Sequence, residues 1–312
     1  PPQAPPVGDM PRWLPLAAFT AALLAALWRA PAPDAVTFAA PAAKQPAMQA
    51  PILFSEKIPE TNGNIGPSSL ARLPDGRLLL AWQETRTEDA GDSTIRLLRQ
   101  DKQGNWGKAK DVANRPLVAG SSFAYASQLG APLLHAEGTW LHLWFVSHAI
   151  SDWRSAALQY RFSSDAGNTW SVPRKTTIAA GFNPGQLRLQ PAQALGDGGL
   201  ALPLREGGSE QTTAWLRLAS TGQPLDKLRL PAGQNLLPQG PAALNLPDGA
   251  QAILALPNNK LLAAGNPQGD RKHLQLWLSD DHGQHWKTSR IIEQSDDGAA
   301  EFTAPFLLLA AD

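Results

Sequence analysis

The 312-residue chain contains no cysteine. Disulfides, thiolate nucleophiles and cysteine-held metals are therefore excluded. An excess of one charge sign is also missing, because 27 Lys and Arg balance 27 Asp and Glu. That balance offers no basic face for nucleic acid and no electrostatic pull toward a membrane surface. Tyrosine and methionine occur only twice each. No His, Asp and Glu grouping has metal-site spacing, and nothing in the sequence asks for a cofactor. A spanning helix needs about 20 apolar residues. The run from Trp13 to Trp28, WLPLAAFTAALLAALW, is shorter than that.

What is present divides the chain in two. Residues 1–9 are a Pro-rich upstream segment, with Met10 as a start. Residues 10–32 combine Arg12, the apolar run and small residues after it, the pattern of a secretory signal peptide or signal anchor. Residues 33–50 read as a disordered Ala/Pro linker. The remainder, 51–312, holds nine of the 11 Trp among many Gly and Pro residues and alternating apolar runs. Such sequence suits an all-β domain with many turns. Export is the expectation, to the periplasm, to a membrane anchored through residues 13–28, or into the medium.

One short pattern occurs twice. Residues 163–170 read SSDAGNTW and residues 279–286 read SDDHGQHW. Both fit Ser-x-Asp-x-Gly-x-x-Trp and both follow strand-like runs, ALQYRF and HLQLWL. Asp can accept hydrogen bonds from backbone N–H groups just beyond it, Gly supplies a positive φ, and Trp plugs back between strands. The pattern is a folded turn joining antiparallel strands. Its recurrence marks a repeat architecture.

These two turns resemble the Asp-box of the sialidase (neuraminidase) family, whose BNR repeats build six-bladed β-propellers. The resemblance covers roughly residues 52–312 and points to a divergent exported bacterial branch. It implies a sialidase-like six-bladed propeller preceded by an apolar helix. Ser163, Asp165, Gly167, Trp170, Ser279, Asp281, Gly283 and Trp286 would be structural.

The blades can be walked along the chain. Strands 66–73, 77–83 and 93–100 form blade 1. Strands 130–138, 139–147 and 155–163 form blade 2, and 189–199, 200–206 and 212–220 form blade 3. Pro67, Pro132, Pro191, Pro241 and Pro305 recur at intervals of 65, 59, 50 and 64 residues. Each is expected at the start of an inner strand, where no ladder donor is required. Blade 4 breaks the pattern, because the turns LPDG (246–249) and LPNN (256–259) nearly adjoin. About one blade's outer strands are missing there. The sequence stops within an inner strand, which predicts four to five blades and a truncated C-terminus.

The resemblance also suggests a site. In the sialidase family an Arg is followed six residues later by the Asp that acts as general acid/base. Here Arg86 and Asp92 have that spacing, and Asp92 would protonate the leaving oxygen. The plain alternative is a solvated acidic loop. Glu206 ends a strand on the same rim. Arg188, Arg154 and Arg205 are available to grip a carboxylate bidentately, and Trp153 to stack on a sugar.

The chain departs from the family elsewhere. Asn64-Ile65-Gly66-Pro67 lacks the family's carboxylate-binding Arg, Gln239-Gly240-Pro241 lacks its Glu, and neither Tyr125 nor Tyr160 matches its nucleophile. Two functions stay open. One is an exo-glycosidase cutting a terminal glycosidic bond. The other is a non-catalytic carbohydrate-binding or envelope scaffold propeller. Either implies a glycan partner and a monomer.

Overall fold

A computed structural model describes residues 13–29, 36–39, 63–86, 92–122, 125–149, 156–176, 178, 186–207, 212–231 and 233–309. The chain divides into two compact units, residues 1–36 and residues 37–312. In the first, helix α1 (Leu14–Arg29) forms from the apolar run. Among the described residues no helix is long and apolar enough to cross a membrane.

The second unit is a β-propeller arrangement of antiparallel sheets. Blade 1 comprises β1 (Asn64–Arg72), β2 (Leu78–Thr85), β3 (Ser93–Arg99) and β4 (Lys110–Asn114), paired in that order. A short helix, α2 (Arg115–Ser122), then leads to blade 2. Asn114 caps this helix by accepting from the Leu117 N–H at 2.9 Å, and Pro116 sits in its first turn. Blade 2 is β5 (Gln128–Glu137), β6 (Trp140–His148), β7 (Ala156–Ser163) and β8 (Arg174–Thr176). Blade 3 is β9 (Gln186–Leu189), β10 (Gln193–Ala194), β11 (Leu200–Gly207), β12 (Thr212–Leu218) and β13 (Pro224–Arg229). Here β9 and β10 pair successive parts of β11.

The irregularity read at blade 4 takes a definite form. Only a two-stranded hairpin, β14 (Gln234–Leu237) with β15 (Gly240–Ala243), occupies that position. Gly240 at φ 118° helps to turn the chain back, so Pro241 lies on β15 and β14 supplies the channel wall. The next full blade is β16 (Ala250–Ala255), β17 (Leu261–Gly265), β18 (His273–Ser279) and β19 (Lys287–Gln294). An extended segment, residues 302–309, follows. Thus six wall segments surround the channel: β1, β5, β9–β10, β14, β16 and 302–309.

Three of the five prolines, Pro67, Pro132 and Pro191, stand away from strand starts. Pro67 falls within a register shift between Ile65 and Ser68, and Pro132 within one between Gly130 and Leu133. Pro191 occupies the break between β9 and β10. A bulge leaves one residue out of the ladder, so proline's missing N–H costs nothing there.

Packing follows the strand alternation. Leu79, Ala81, Ile95 and Leu97 of blade 1 meet Leu129, Leu134, Leu141, Leu143 and Phe145 of blade 2 in one buried cluster. The opposite face of blade 2 presents Trp144, Leu158 and Tyr160 to Leu200, Leu202, Leu204 and Leu216 of blade 3. The blade of β16–β19 has thinner cover. Every residue of β19 is exposed, including Ile291 and Ile292, because neither neighbouring position carries a full sheet.

The third-to-fourth-strand turns act as wedges. In both Asp-boxes the serine Oγ accepts the glycine N–H, at 2.8 Å for Gly167 and 2.9 Å for Gly283. The aspartate accepts the N–H four residues after it, at 2.9 Å from Thr169 and from His285. These donors hold the Asp165 carboxyl down at about 2, the Thr169 backbone N–H contributing most. Asp281 is lowered likewise, chiefly by His285. The glycines lie against the preceding blade. A Cβ on Gly167 would stand 3.2 Å from Leu141 and 3.3 Å from Leu79, and one on Gly283 would stand 2.6 Å from Leu244.

Four residues of the stretch read as linker, Val36 to Ala39, are also described. The Thr37 carbonyl accepts from the Gly196 N–H at 2.8 Å, and Ala39 N–H donates to the Ala194 carbonyl at 3.3 Å. Phe38 lies 5.8 Å from the Trp215 ring and against Gly240. This short strand fills part of the seam between blade 3 and the reduced blade 4.

Candidate functional site

Topology sorts the loops to two ends of the channel. The LPDG turn (73–76) and the Asp-boxes lie at one end. The β2–β3, β6–β7 and β11–β12 connections lie at the other, called the top. Arg86, Asp92, Arg188, Arg205 and Glu206 all map to the top. Trp153 and Arg154 lie outside the described residues.

The structure distributes these residues over different faces. Thr85 pairs with Ser93, so Arg86 and Asp92 flank one connection between β2 and β3. Arg86 turns to the blade 1 face that carries Leu80 and Trp82. Its guanidinium meets Asp111 at 3.2 Å and Glu84 at 3.7 Å. Asp92 is exposed and forms no ion pair among the described residues.

Glu84 was not singled out from the sequence, yet it is the most enclosed carboxylate of this region, with its side chain at 0% exposure. It accepts from Trp82 Nε1 at 3.1 Å and from Arg96 at 3.0 Å. Arg96 in turn lies 5.7 Å over the Trp82 ring. A buried carboxylate is tolerated only when paired and hydrogen-bonded in this way. The available signal was an acid on the same strand face as Leu80 and Trp82.

On blade 3, neighbouring residues of β11 point to opposite faces. Glu206 shares the face of Leu202 and Leu204, toward blade 2. Lys227 clamps it, with Nζ at 2.5 Å and 2.7 Å from the two carboxylate oxygens and 3.2 Å from the Ile178 carbonyl. Arg205 lies on the other face, toward the blade 4 hairpin.

Arg205 is directly opposite Arg188 across the β11–β9 pair. Directly opposed side chains lie on one face of a sheet, about 4.5–5.5 Å apart at Cβ. Arg205 donates to Asn235 Oδ1 at 3.0 Å. Asn235 is itself buried. Burial lowers the Arg205 pKa from its ordinary value, and the Arg188 charge adds to the effect. Neither arginine has a carboxylate partner among the described residues. Two like charges thus stand on one sheet face, Arg205 partly buried and Arg188 exposed, and each is a five-donor planar fork. That arrangement can receive a carboxylate or another oxyanion. Among the described residues no group of three or more His, Cys, Asp and Glu could hold a metal ion.

The pattern of the family described as "BNR repeat-like domain" matches residues 76–238, more than half of the chain. The chain belongs to that family. No curated protein matches it. Among solved structures it is similar to Zg3597, a family 117 glycoside hydrolase from the marine bacterium Zobellia galactanivorans. That match has 11% identity and a TM-score of 0.48, and it covers 81% of this chain and 77% of that one. It is similar to the intramolecular trans-sialidase of Ruminococcus gnavus at 13% identity and a TM-score of 0.45, covering 76% and 72%. A third similar structure is the xylan beta-1,4-xylosidase of Bacillus halodurans C-125. There the identity is 16% and the TM-score 0.44, and the coverage is 74% of this chain but only 42% of that one.

Proposed function

We propose that this protein is an exported glycan-binding propeller that takes an acidic sugar at the top of its channel. The observation that carries the reading is the Arg188–Arg205 pair. Asn235 holds Arg205, and neither arginine has an acidic partner among the described residues. A bidentate arginine–carboxylate interaction is charge-assisted and directional, which suits recognition of a sugar acid. Glu206 serves the fold in this reading, because Lys227 occupies both its oxygens. Trp153 and Arg154 are proposed as further contacts to the same ligand.

The test is calorimetric binding of acidic oligosaccharides, sialosides and hexuronates, beside neutral ones of equal length. Arg188→Met with Arg205→Met should weaken acidic ligands by about 100-fold or more, roughly tenfold for each guanidinium removed. Neutral ligands should be unaffected. Equal affinity of the double variant for acidic ligands would refute the reading.

Hydrolysis of a terminal glycosidic bond is the second reading, favoured by Asp92, exposed just before β3 and without an ion pair among the described residues. A panel of fluorogenic glycosides tests it. Turnover should vanish in Asp92→Asn while thermal unfolding is unchanged, and activity persisting in that variant would assign the chemistry elsewhere. The proposal includes a monomeric state and a signal peptide or signal anchor over residues 10–32, with any membrane anchoring through residues 13–28. Fractionation of cells carrying the tagged protein would test the export.

A further inference from the structure

The opposite end of the channel holds a cavity of about 540 Å3. This volume lies within the range of pockets that enclose small molecules. All six wall segments contribute to it, through residues such as Leu70, Leu134, Leu236, Ile253 and Phe306. Of its 22 lining residues only Arg72, His135 and Gln193 carry polar side chains. A water-filled space would need several polar partners for each water, and this wall is mostly aliphatic.

The three polar residues are not alike. Arg72 is the one formal charge. Its guanidinium reaches the LPDG turn, 3.5 Å from where a Cβ on Gly76 would stand. The nearest acid in sequence, Asp75, is taken by Arg77 at 2.7 Å. Arg72 has no ion-pair partner among the described residues. His135 is half-buried in the wall, 6.2 Å from the His142 ring. Burial first, and the neighbouring His142 second, push its pKa down to about 4, so it is a neutral polar group at pH 7. The cavity therefore joins a large apolar interior to a single unpaired cation at the turn end.

We propose that this cavity binds an amphipathic carboxylate, its apolar body in the channel and its carboxylate on Arg72. Charge complementarity selects the head group, because the lining offers one cation and no acid. The aliphatic side chains that make up most of the wall select the body. This site is separate from the arginine pair at the top, and it does not depend on glycan binding there.

The experiment titrates the full chain with 11-(dansylamino)undecanoate, with its methyl ester as the uncharged probe. The wild type should show saturable one-to-one fluorescence enhancement with the acid and bind the ester about tenfold more weakly. Arg72→Met, which keeps most of the apolar stem, should bind acid and ester alike. Uptake by the exposed apolar face of α1 would not distinguish acid from ester through Arg72. Leu237→Trp, which fills part of the cavity, should abolish binding while the near-UV dichroism stays native. Should that variant not fold, Arg72→Met carries the test alone. Equal affinity of the wild type for acid and ester, or no saturable binding of either, would overturn the proposal.

Discussion

Gly222→Ala should destabilise the protein by about 4 kcal/mol and lower its melting temperature by roughly 10 °C. Gly222 lies in the turn between β12 and β13, at φ 78°. Its N–H donates to the Ala219 carbonyl at 2.8 Å, closing the turn. An added Cβ would fall 2.2 Å from the Tyr160 hydroxyl and 2.4 Å from the carbon bearing it. The left-handed backbone costs a non-glycine residue about 1–2 kcal/mol. Overpacking against a buried ring adds about 1–3 kcal/mol.

The hydroxyl cannot move freely, because it donates to the Thr221 carbonyl at 3.0 Å and meets His142 Nδ1 at 2.9 Å. Displacing it leaves buried polar atoms unpaired, at about 1–3 kcal/mol. Gly104→Ala is the matched control. That glycine occupies the equivalent turn of blade 1 at φ 87°, with nothing within 4 Å of an added Cβ. Its loss should be limited to about 1–2 kcal/mol. Denaturant midpoints of the two variants therefore read the backbone strain and the inter-blade wedge separately. Equal losses in both would mean that Gly222 acts through the turn alone.

The same comparison shows what was legible in the sequence. The Asp-boxes were readable because Ser, Asp, Gly and Trp each leave a letter in the chain. The blade 3 turn does the same packing with Ser220-Thr221-Gly222-Gln223 and neither Asp nor Trp. Only the glycine's φ and its close approach to the neighbouring blade are shared, and one glycine is no motif. The irregularity at blade 4 was readable from two turns ten residues apart, whereas the β14 wall was not. A run of four residues such as Gln234–Leu237 has too little alternation to be told from a loop.

Proline positions were read correctly as periodic but, for Pro67, Pro132 and Pro191, wrongly as strand starts, because a bulge relieves the missing donor as well as a strand end does. Helix α2 left its signal in Asn114-Arg115-Pro116, a cap followed by proline. At the candidate site, sequence spacing brought Arg188, Arg205 and Glu206 to the same rim. It did not reveal that Arg205 and Glu206, as neighbours on β11, point to opposite faces, nor that Lys227 and Asn235 would partner them. Those pairings depend on which blade lies on which side, and that is fixed by tertiary packing.

Acidification from pH 6.5 to pH 4 should remove about 3 kcal/mol or more of stability, well above the range where the Asp-box carboxyl titrates. One principal source is His142. Its side chain is fully buried, and its ring stacks on Trp144 at 5.4 Å and on Tyr160 at 5.9 Å. Tyr160 gives its proton to the Thr221 carbonyl, so its oxygen accepts from His142 Nδ1–H. That fixes the tautomer and leaves Nε2 as an unprotonated, buried atom without a hydrogen-bond partner among the described residues. A proton added there would bring an unsolvated charge into the blade 2–blade 3 core. Burial accordingly pushes the His142 pKa from 6.5 down to about 4.

The unfolded chain thus takes up a proton near pH 6.5 and the folded chain only near pH 4. Stability is complete above 6.5, falls as pH drops through the interval, and levels off below 4. A shift of this size corresponds to about 3 kcal/mol for His142. His135 and His148 are displaced in the same direction by burial, so the total is not smaller. The Asp165 carboxyl, held down at about 2, adds its own loss only below the window. Urea unfolding at pH 7, 5.5 and 4.5 measures the slope. His142→Phe keeps the stacked ring and should flatten the slope by about half, while losing about 1 kcal/mol at pH 7 with its hydrogen bond. An unchanged slope in that variant would assign the acid sensitivity to His135 and His148 instead of to the Tyr160–His142 joint.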